Sequence, residues 1–226
     1  MSDFRTLIDA FGFADEHHAL FELSKGRLTT KPAGHAGAAV FLSLRMFDGF
    51  EIRSGRGIFI YDGNAGTWRT ETAPFDLRGT SVAMRIRLSS DRSMQDVIAW
   101  YMESSGESSG ELSEAPSEES AGQSPAGPPV ERLARMHVHA ALLQRDGDAL
   151  VSRDQARRLL SRVGTCREAL VDFRGVETIG PAFADEVFRV FRTQFPDTTI
   201  VTLNAGPGVR TRIHETLAAT RTPVSP

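Results

Sequence analysis

Cysteine is almost absent from this chain of 226 residues: Cys166 stands alone, so no intramolecular disulfide and no cysteine-built metal site can form, and a lone thiol suits a reducing compartment. Lysine is nearly missing too, since of 26 basic residues only Lys25 and Lys31 are lysines. No apolar run approaches the ~18 residues of a membrane helix, and the start, with Asp3 and Arg5, lacks the basic and then apolar layout of a signal peptide. The expected location is the cytoplasm. A formal charge of -3 and a pI near 6.1 give no basic excess for nucleic acid, which argues against DNA or RNA as the default partner.

What is present divides unevenly. Residues 103–129, ESSGESSGELSEAPSEESAGQSPAGPP, hold six glutamates, no Lys or Arg and one large aliphatic, Leu112. Such a stretch cannot bury enough apolar surface to offset its ordering entropy, and reads as an acidic linker between two domains. Upstream, helices are expected over Asp3 to Phe11, Glu16 to Lys25 and Ala36 to Phe47. A hairpin follows over Phe50 to Ser54 and Gly57 to Asp62, turning at Gly55-Arg56. Thr80 to Leu88 alternates, with Val82, Met84, Ile86 and Leu88 on one face, and reads as a half-buried strand; Ser93 to Met102 reads as a helix.

Downstream, strands and helices alternate, which predicts a sheet covered by helices. Val138 to Gln144 is the expected first strand, paired as a hairpin with Ala149 to Val151 across Arg145 to Asp148. Ser152 opens a helix with a capping box completed by Gln155. Ala169 to Phe173 is a short apolar strand. Pro181 fits the first position of a helix running to Phe195 with Phe183, Val187, Val190 and Phe191 inward. Thr199 to Leu203 is the last strand, Val209, Ile213 and Leu217 mark a final helix, and residues 220–226 form a tail.

Leu150 to Arg158, LVSRDQARR, and Leu170 to Arg192, LVDFRGVETIGPAFADEVFRVFR, carry a resemblance to the STAS-like domain family of unknown function found in bacterial proteins. Phe183-Ala184-Asp185-Glu186 after Ile179-Gly180 looks like the signature of that family, and the resemblance covers about residues 130–219. It implies the fold of the STAS domains of anti-sigma-factor antagonists, in which a strand ending in Asp leads through a loop to a helix with a phosphorylatable Ser. Here Asp172 ends the strand, Pro181-Ala182 stands where the phosphoacceptor belongs, and Thr178 is the only hydroxyl of the loop. Partner recognition rather than phosphoswitching is the implied role, through Asp172, Glu177, Thr178, Asp185, Glu186 and Arg189.

Residues 1–102 resemble part of a histidine-kinase-like ATPase, a partial α/β sandwich. Thr29-Thr30 is similar to the end of an ATP lid, Gly34 and Gly37 to a glycine-rich box, and Gly79-Thr80 to a late glycine-threonine pair. If nucleotide binding is retained, those six residues would hold ATP with Mg²⁺. The helical Asn for Mg²⁺ and the Asp-x-Gly-x-Gly loop for adenine do not precede Thr29, and Ala39 replaces a close-approach glycine, so the half-domain is expected to be degenerate or to begin upstream of Met1.

Other candidate chemistry is thin. His137-x-His139 puts two rings on one strand face, but with no third donor nearby in sequence no metal site is assigned. Asp185-Glu186 cannot flank one bond as a catalytic couple, because adjacent helix residues diverge by about 100°. Arg153 and Arg157 share a helix face, either as a solvated surface or as a docking fork for carboxylates. The expected function is therefore a non-enzymatic regulatory interaction module for a protein partner, with a homodimer as a further expectation from exposed strand edges. An ATP-binding switch is the alternative.

Overall fold

The computed structural model describes residues 3–26, 28, 39–105, 133–145 and 147–219. The linker assignment therefore lies outside the described residues from 106 onward, as does the tail from 220.

Helices α1 (Asp3–Phe11), α2 (Glu16–Ser24) and α3 (Ala39–Met46) come first, then strands β1 (Gly49–Asp62) and β2 (Thr67–Arg85), then helix α4 (Met94–Ser105). Asp15 caps α2, its carboxylate accepting from His18 N at 2.9 Å. β1 and β2 form a two-stranded antiparallel sheet from Gly49↔Arg85 to Asp62↔Thr67, and Thr70 of β2 adds an isolated parallel bridge to Arg145. The expected turn at Gly55-Arg56 is instead an irregularity inside β1: Gly55 adopts φ +57 and the register shifts there, which is how a bulge bends a long ribbon. The real turn is Gly63 to Gly66, where Asp62 Oδ1 accepts from Asn64 N and Ala65 N. The described residues show a two-stranded ribbon beneath helices, and the ATPase sandwich expected of this region is not confirmed.

The second half is a parallel three-stranded sheet in the order β3 (Leu133–His139), β4 (Cys166–Asp172), β5 (Thr199–Leu203). β3 begins earlier than expected and stops at His139, after which Ala140–Leu143 coils into a 3-10 turn. Leu150 makes an isolated parallel bridge to Ile179 rather than a hairpin with β3. The capping box holds as read: Ser152 Oγ accepts from Gln155 N at 3.1 Å, Gln155 Oε1 accepts from Ser152 N at 2.9 Å, and α5 (Arg153–Leu160) follows. Pro181 opens α6 (Pro181–Asp185), which runs through a π-turn, Glu186–Val190, into α7 (Phe191–Gln194). Phe191 N–H reaches Glu186 C=O, five residues back, and this extra residue per turn buries Ala184 and Phe188 while Val190 is only partly covered. α8 (Pro207–Ala219) closes the domain.

One face of the sheet, with Met136, Val138, Ala169 and Val171, is buried in the same core as Leu159, Phe183, Val187 and Phe191. The other carries the polar alternates Arg135, His137, His139, Glu168 and Asp172, and is met by the N-terminal half. α4 packs against β3, and Phe21, Leu44, Phe50, Ile52 and Trp68 continue the same core. Two basic side chains fasten the halves reciprocally. Lys25 Nζ donates to Arg158 O at 3.2 Å and Ser161 O at 2.8 Å at the end of α5, while Arg162 donates to Glu22 O at 3.3 Å and Gly26 O at 2.9 Å at the end of α2. Each cation meets carbonyls at a helix end, two of which, Arg158 O and Glu22 O, also accept from the backbone N–H groups of Ser161 and Lys25.

Candidate functional site

The helix face predicted for partner contact is built by five charged side chains from α5, α6 and the π-turn. α6 starts at Gly180, whose N–H bonds Leu150 O at 2.7 Å, so the start of α6 lies against the start of α5. Arg153 then bridges Glu186 Oε2 at 2.8 Å and Asp185 Oδ2 at 2.8 Å, Arg157 Nε reaches Glu186 Oε1 at 3.0 Å, and Arg189 Nη2 reaches Asp185 Oδ2 at 2.8 Å. Hydrogen bonds from Arg189 and Arg153 hold the Asp185 carboxyl below its ordinary range. Burial pushes Glu186 upward, but Arg153 and Arg157 bring it below its ordinary value. Asp185-Glu186 and Arg153/Arg157, separate features in the sequence, are thus one charge-assisted network. It consumes the docking fork: these arginines grip their own domain's carboxylates.

Arg189 is also the wall between two open grooves. One, of about 710 Å³, is lined by Phe188, Arg189, Arg192, Thr193, His214 and Leu217, between the π-turn and α8. The other, of about 330 Å³, includes Pro181, Asp185, Arg189, Arg212 and Glu215. The π-turn supplies Phe188 to the floor of the first, a feature that no sequence signal announced. Glu177 and Thr178 are exposed on the loop before α6, and the Glu177 carbonyl faces Gly208, where an added Cβ would come within 2.6 Å of it.

At the carboxyl ends of β3 and β4, the region where open α/β sheets gather ligands, lies a second polar cluster. Parallel register pairs His139 with Asp172, so Asp172 shares the face of both imidazoles. Asp172 Oδ2 lies 3.7 Å from His137 Nε2 and 3.7 Å from His139 Nδ1; Oδ1 accepts from Arg174 N at 2.8 Å and Asn204 Nδ2 at 2.9 Å. This supplies the third donor that spacing alone could not show, and the three ligand atoms lie within 4.8 Å of one another. The surroundings oppose a cation. Arg45 Nη2 sits 3.2 Å from His137 Nδ1, and since a guanidinium only donates, Nδ1 must accept and Nε2 must carry the hydrogen, turned towards Asp172. His137 then has no Nε2 lone pair for a metal, and Arg45 and Arg174 add positive charge.

Burial, with Arg45 beside it, lowers the His137 pKa against the pull of Asp172. Burial, His137 and Arg45 drive His139 well below its ordinary value. Burial raises Asp172, but His137, Asn204 and the Arg174 amide outweigh it and leave the carboxyl well below its ordinary value. Trp68 from β2 covers His139, with ring centroids 5.4 Å apart. The cluster is a hydrogen-bonded junction between the two halves, drawing Arg45 from α3 and Trp68 from β2. Arg45 and Trp68 had no signal in the sequence; Asn204, one residue beyond β5, could have been read as neighbouring Asp172 once the strand order was known.

Of the six nucleotide residues, only Gly79 and Thr80 are among the described ones. Thr29, Thr30, Gly34 and Gly37 lie outside them. Gly79, at φ +96 with open space around it, and the exposed Thr80, whose hydroxyl donates to Ser54 Oγ at 3.3 Å, stand on the outer part of β2. No described helix is long and apolar enough to cross a membrane.

Residues 155–210 match the family described as STAS-like domain of unknown function (DUF4325). The match spans α5 to the start of α8, including Asp172, the loop with Thr178 and the whole charged network except Arg153, and it does not extend to the first 154 residues. Neither the curated proteins nor the solved structures give a match to this chain.

Proposed function

We propose that this chain is a non-enzymatic regulatory module whose STAS-like domain recognises a protein partner through the helical surface around Arg189. One observation carries the reading: Arg189 is fixed by two contacts to Asp185 and stands between two open grooves, so a guanidinium with only two of its five N–H donors spent on that carboxylate is presented already oriented. Fixing it beforehand reduces the ordering cost that a partner would otherwise meet on binding. The match of residues 155–210 to a STAS-like domain is consistent with a regulatory interaction module.

The N-terminal half contributes by holding the domain in place. Its Trp68 and Arg45 meet His139 and His137 on the polar face of the sheet and its Lys25 meets the end of α5, while the two grooves are lined by residues of the C-terminal half. The test is affinity capture with the full chain, comparing wild type, Arg189→Ala and, as a surface control, the exposed Arg167→Ala. Arg189→Ala keeps Asp185 paired with Arg153 and so preserves the fold while removing the presented guanidinium. Capture lost in Arg189→Ala and kept in Arg167→Ala supports the surface; equal capture by all three contradicts it.

A further inference from the structure

Nine large hydrophobic residues are exposed among those described, and five stand on β2 or directly after it: Phe75, Val82, Met84, Ile86 and Leu88. The expectation of a half-buried strand over Thr80 to Leu88 thus fails in a particular way. Paired residues of an antiparallel ribbon share a face, so Met84 lies beside Phe50 and Val82 beside Ile52. Phe50 and Ile52 are 4% and 3% exposed, because α2 and α3 pack on β1; Met84 and Val82 are 50% and 47% exposed. The covering helices stop at β1. The same apolar face continues across β2 and ends bare, at a strand whose outer edge over Gly79 to Arg85 has no partner strand among the described residues.

We propose that this edge pairs with β2 of a second copy of the chain, antiparallel about a two-fold axis through Met84. The order of residues decides the occupant and the register. With Met84 opposite Met84, Val82 faces Ile86 of the second copy, Arg85 faces Ala83 and Arg87 faces Ser81. Met84 and the Val82–Ile86 pairs meet apolar partners, each arginine meets a small neutral residue, and only Leu88, beyond the end of β2, faces a polar one, Thr80. One step towards the C-terminus sets Arg85 against Arg85. One step the other way sets Ile86 against Thr80 and Leu88 against Arg78. A segment whose apolar and charged positions are balanced about its own centre suits an isologous contact, where the same patch serves both partners. Pairing would also satisfy the outer backbone groups of β2 and turn a two-stranded ribbon into a four-stranded sheet, removing the aggregation hazard of a bare apolar edge.

The experiment combines mass with cysteine crosslinking on the full chain. Light scattering should give about twice 24.7 kDa at tens of micromolar. Met84→Arg, at an exposed position, should return the mass to about 24.7 kDa with an unchanged melting temperature. Under mild oxidation Met84→Cys should form a covalent dimer, Val82→Cys alone should not, and a mixture of Val82→Cys with Ile86→Cys should; the native Cys166 is buried and does not compete. A wild-type monomer throughout, a Met84→Arg dimer as tight as wild type, or Val82→Cys crosslinking as readily as Met84→Cys would each overturn the proposal. None of these outcomes bears on the Arg189 surface, so the two readings fail separately.

Discussion

Lys25 Nζ lies 2.7 Å from Glu22 Oε1 with both side chains fully buried, and the same ammonium holds two carbonyls at the end of α5. Burial lowers the Lys25 pKa to about 8 against the pull of Glu22. A buried pair is costly to break singly, because the remaining charge keeps its desolvation penalty. Lys25→Met should therefore destabilise the protein by roughly 3 kcal/mol in urea unfolding, and Glu22→Leu/Lys25→Met should recover most of that loss. Equal destabilisation by both would show that the helix-end carbonyls, not the Glu22 carboxylate left with Arg162 at 3.6 Å, set the cost.

Acid should loosen the junction before it denatures the rest. His137 and His139 have depressed pKa values in the fold, facing Arg45 from α3, Arg174 after β4 and the single carboxylate Asp172. Their contribution is complete above about pH 6.5, where free imidazole is neutral. It falls as pH drops, because the unfolded chain takes up protons that the folded one refuses, at about 1.4 kcal/mol per pH unit for each ring. Asp172, also depressed, adds its loss only when the pH falls into the carboxylate range. Unfolding measured at pH 7 and at pH 5.5 should show a clear drop for wild type and a smaller one for His137→Asn/His139→Asn. The residual slope includes His18, likewise depressed by burial.

Gly180 is a packing test. A Cβ there would come within 2.8 Å of the Val151 Cα, where Gly180 N–H also bonds Leu150 O. Gly180→Ala should cost about 2 kcal/mol by parting α5 from α6. Because that seam positions Arg153 against Asp185, the variant should also weaken capture through Arg189; unchanged melting would mean that Val151 yields freely.

Titration with ATP and Mg²⁺ should give no heat. Gly79 and Thr80 stand on an exposed ribbon, and the Thr80 hydroxyl is directed to Ser54. Micromolar binding, abolished by Gly79→Ala, would restore the nucleotide reading.

Local chemistry was legible in the sequence where short-range physics decides it. Ser152 and Gln155 announced their capping box, Pro181 its helix start, and Thr199 to Leu203 its strand, because each signal is complete within a few residues. Gly55-Arg56 misled, since a positive-φ glycine serves a bulge as well as a turn; the Asp62-Gly63-Asn64 run carried the better turn signal. The alternation of Val82, Met84 and Ile86 correctly gave a strand but not its exposure, which depends on where α2 and α3 end. The meeting of His137, His139 and Asp172 was illegible for the same reason: it follows from parallel register between strands more than thirty residues apart.

The most direct test of the central claim is hydrogen exchange on the full chain with and without a captured partner. New protection is expected over residues 185–193 and 212–218, which include the lining of the two grooves, with the Lys25 and His137 regions unchanged. Protection confined to the N-terminal half, with the helices around Arg189 exchanging as before, would contradict the claim.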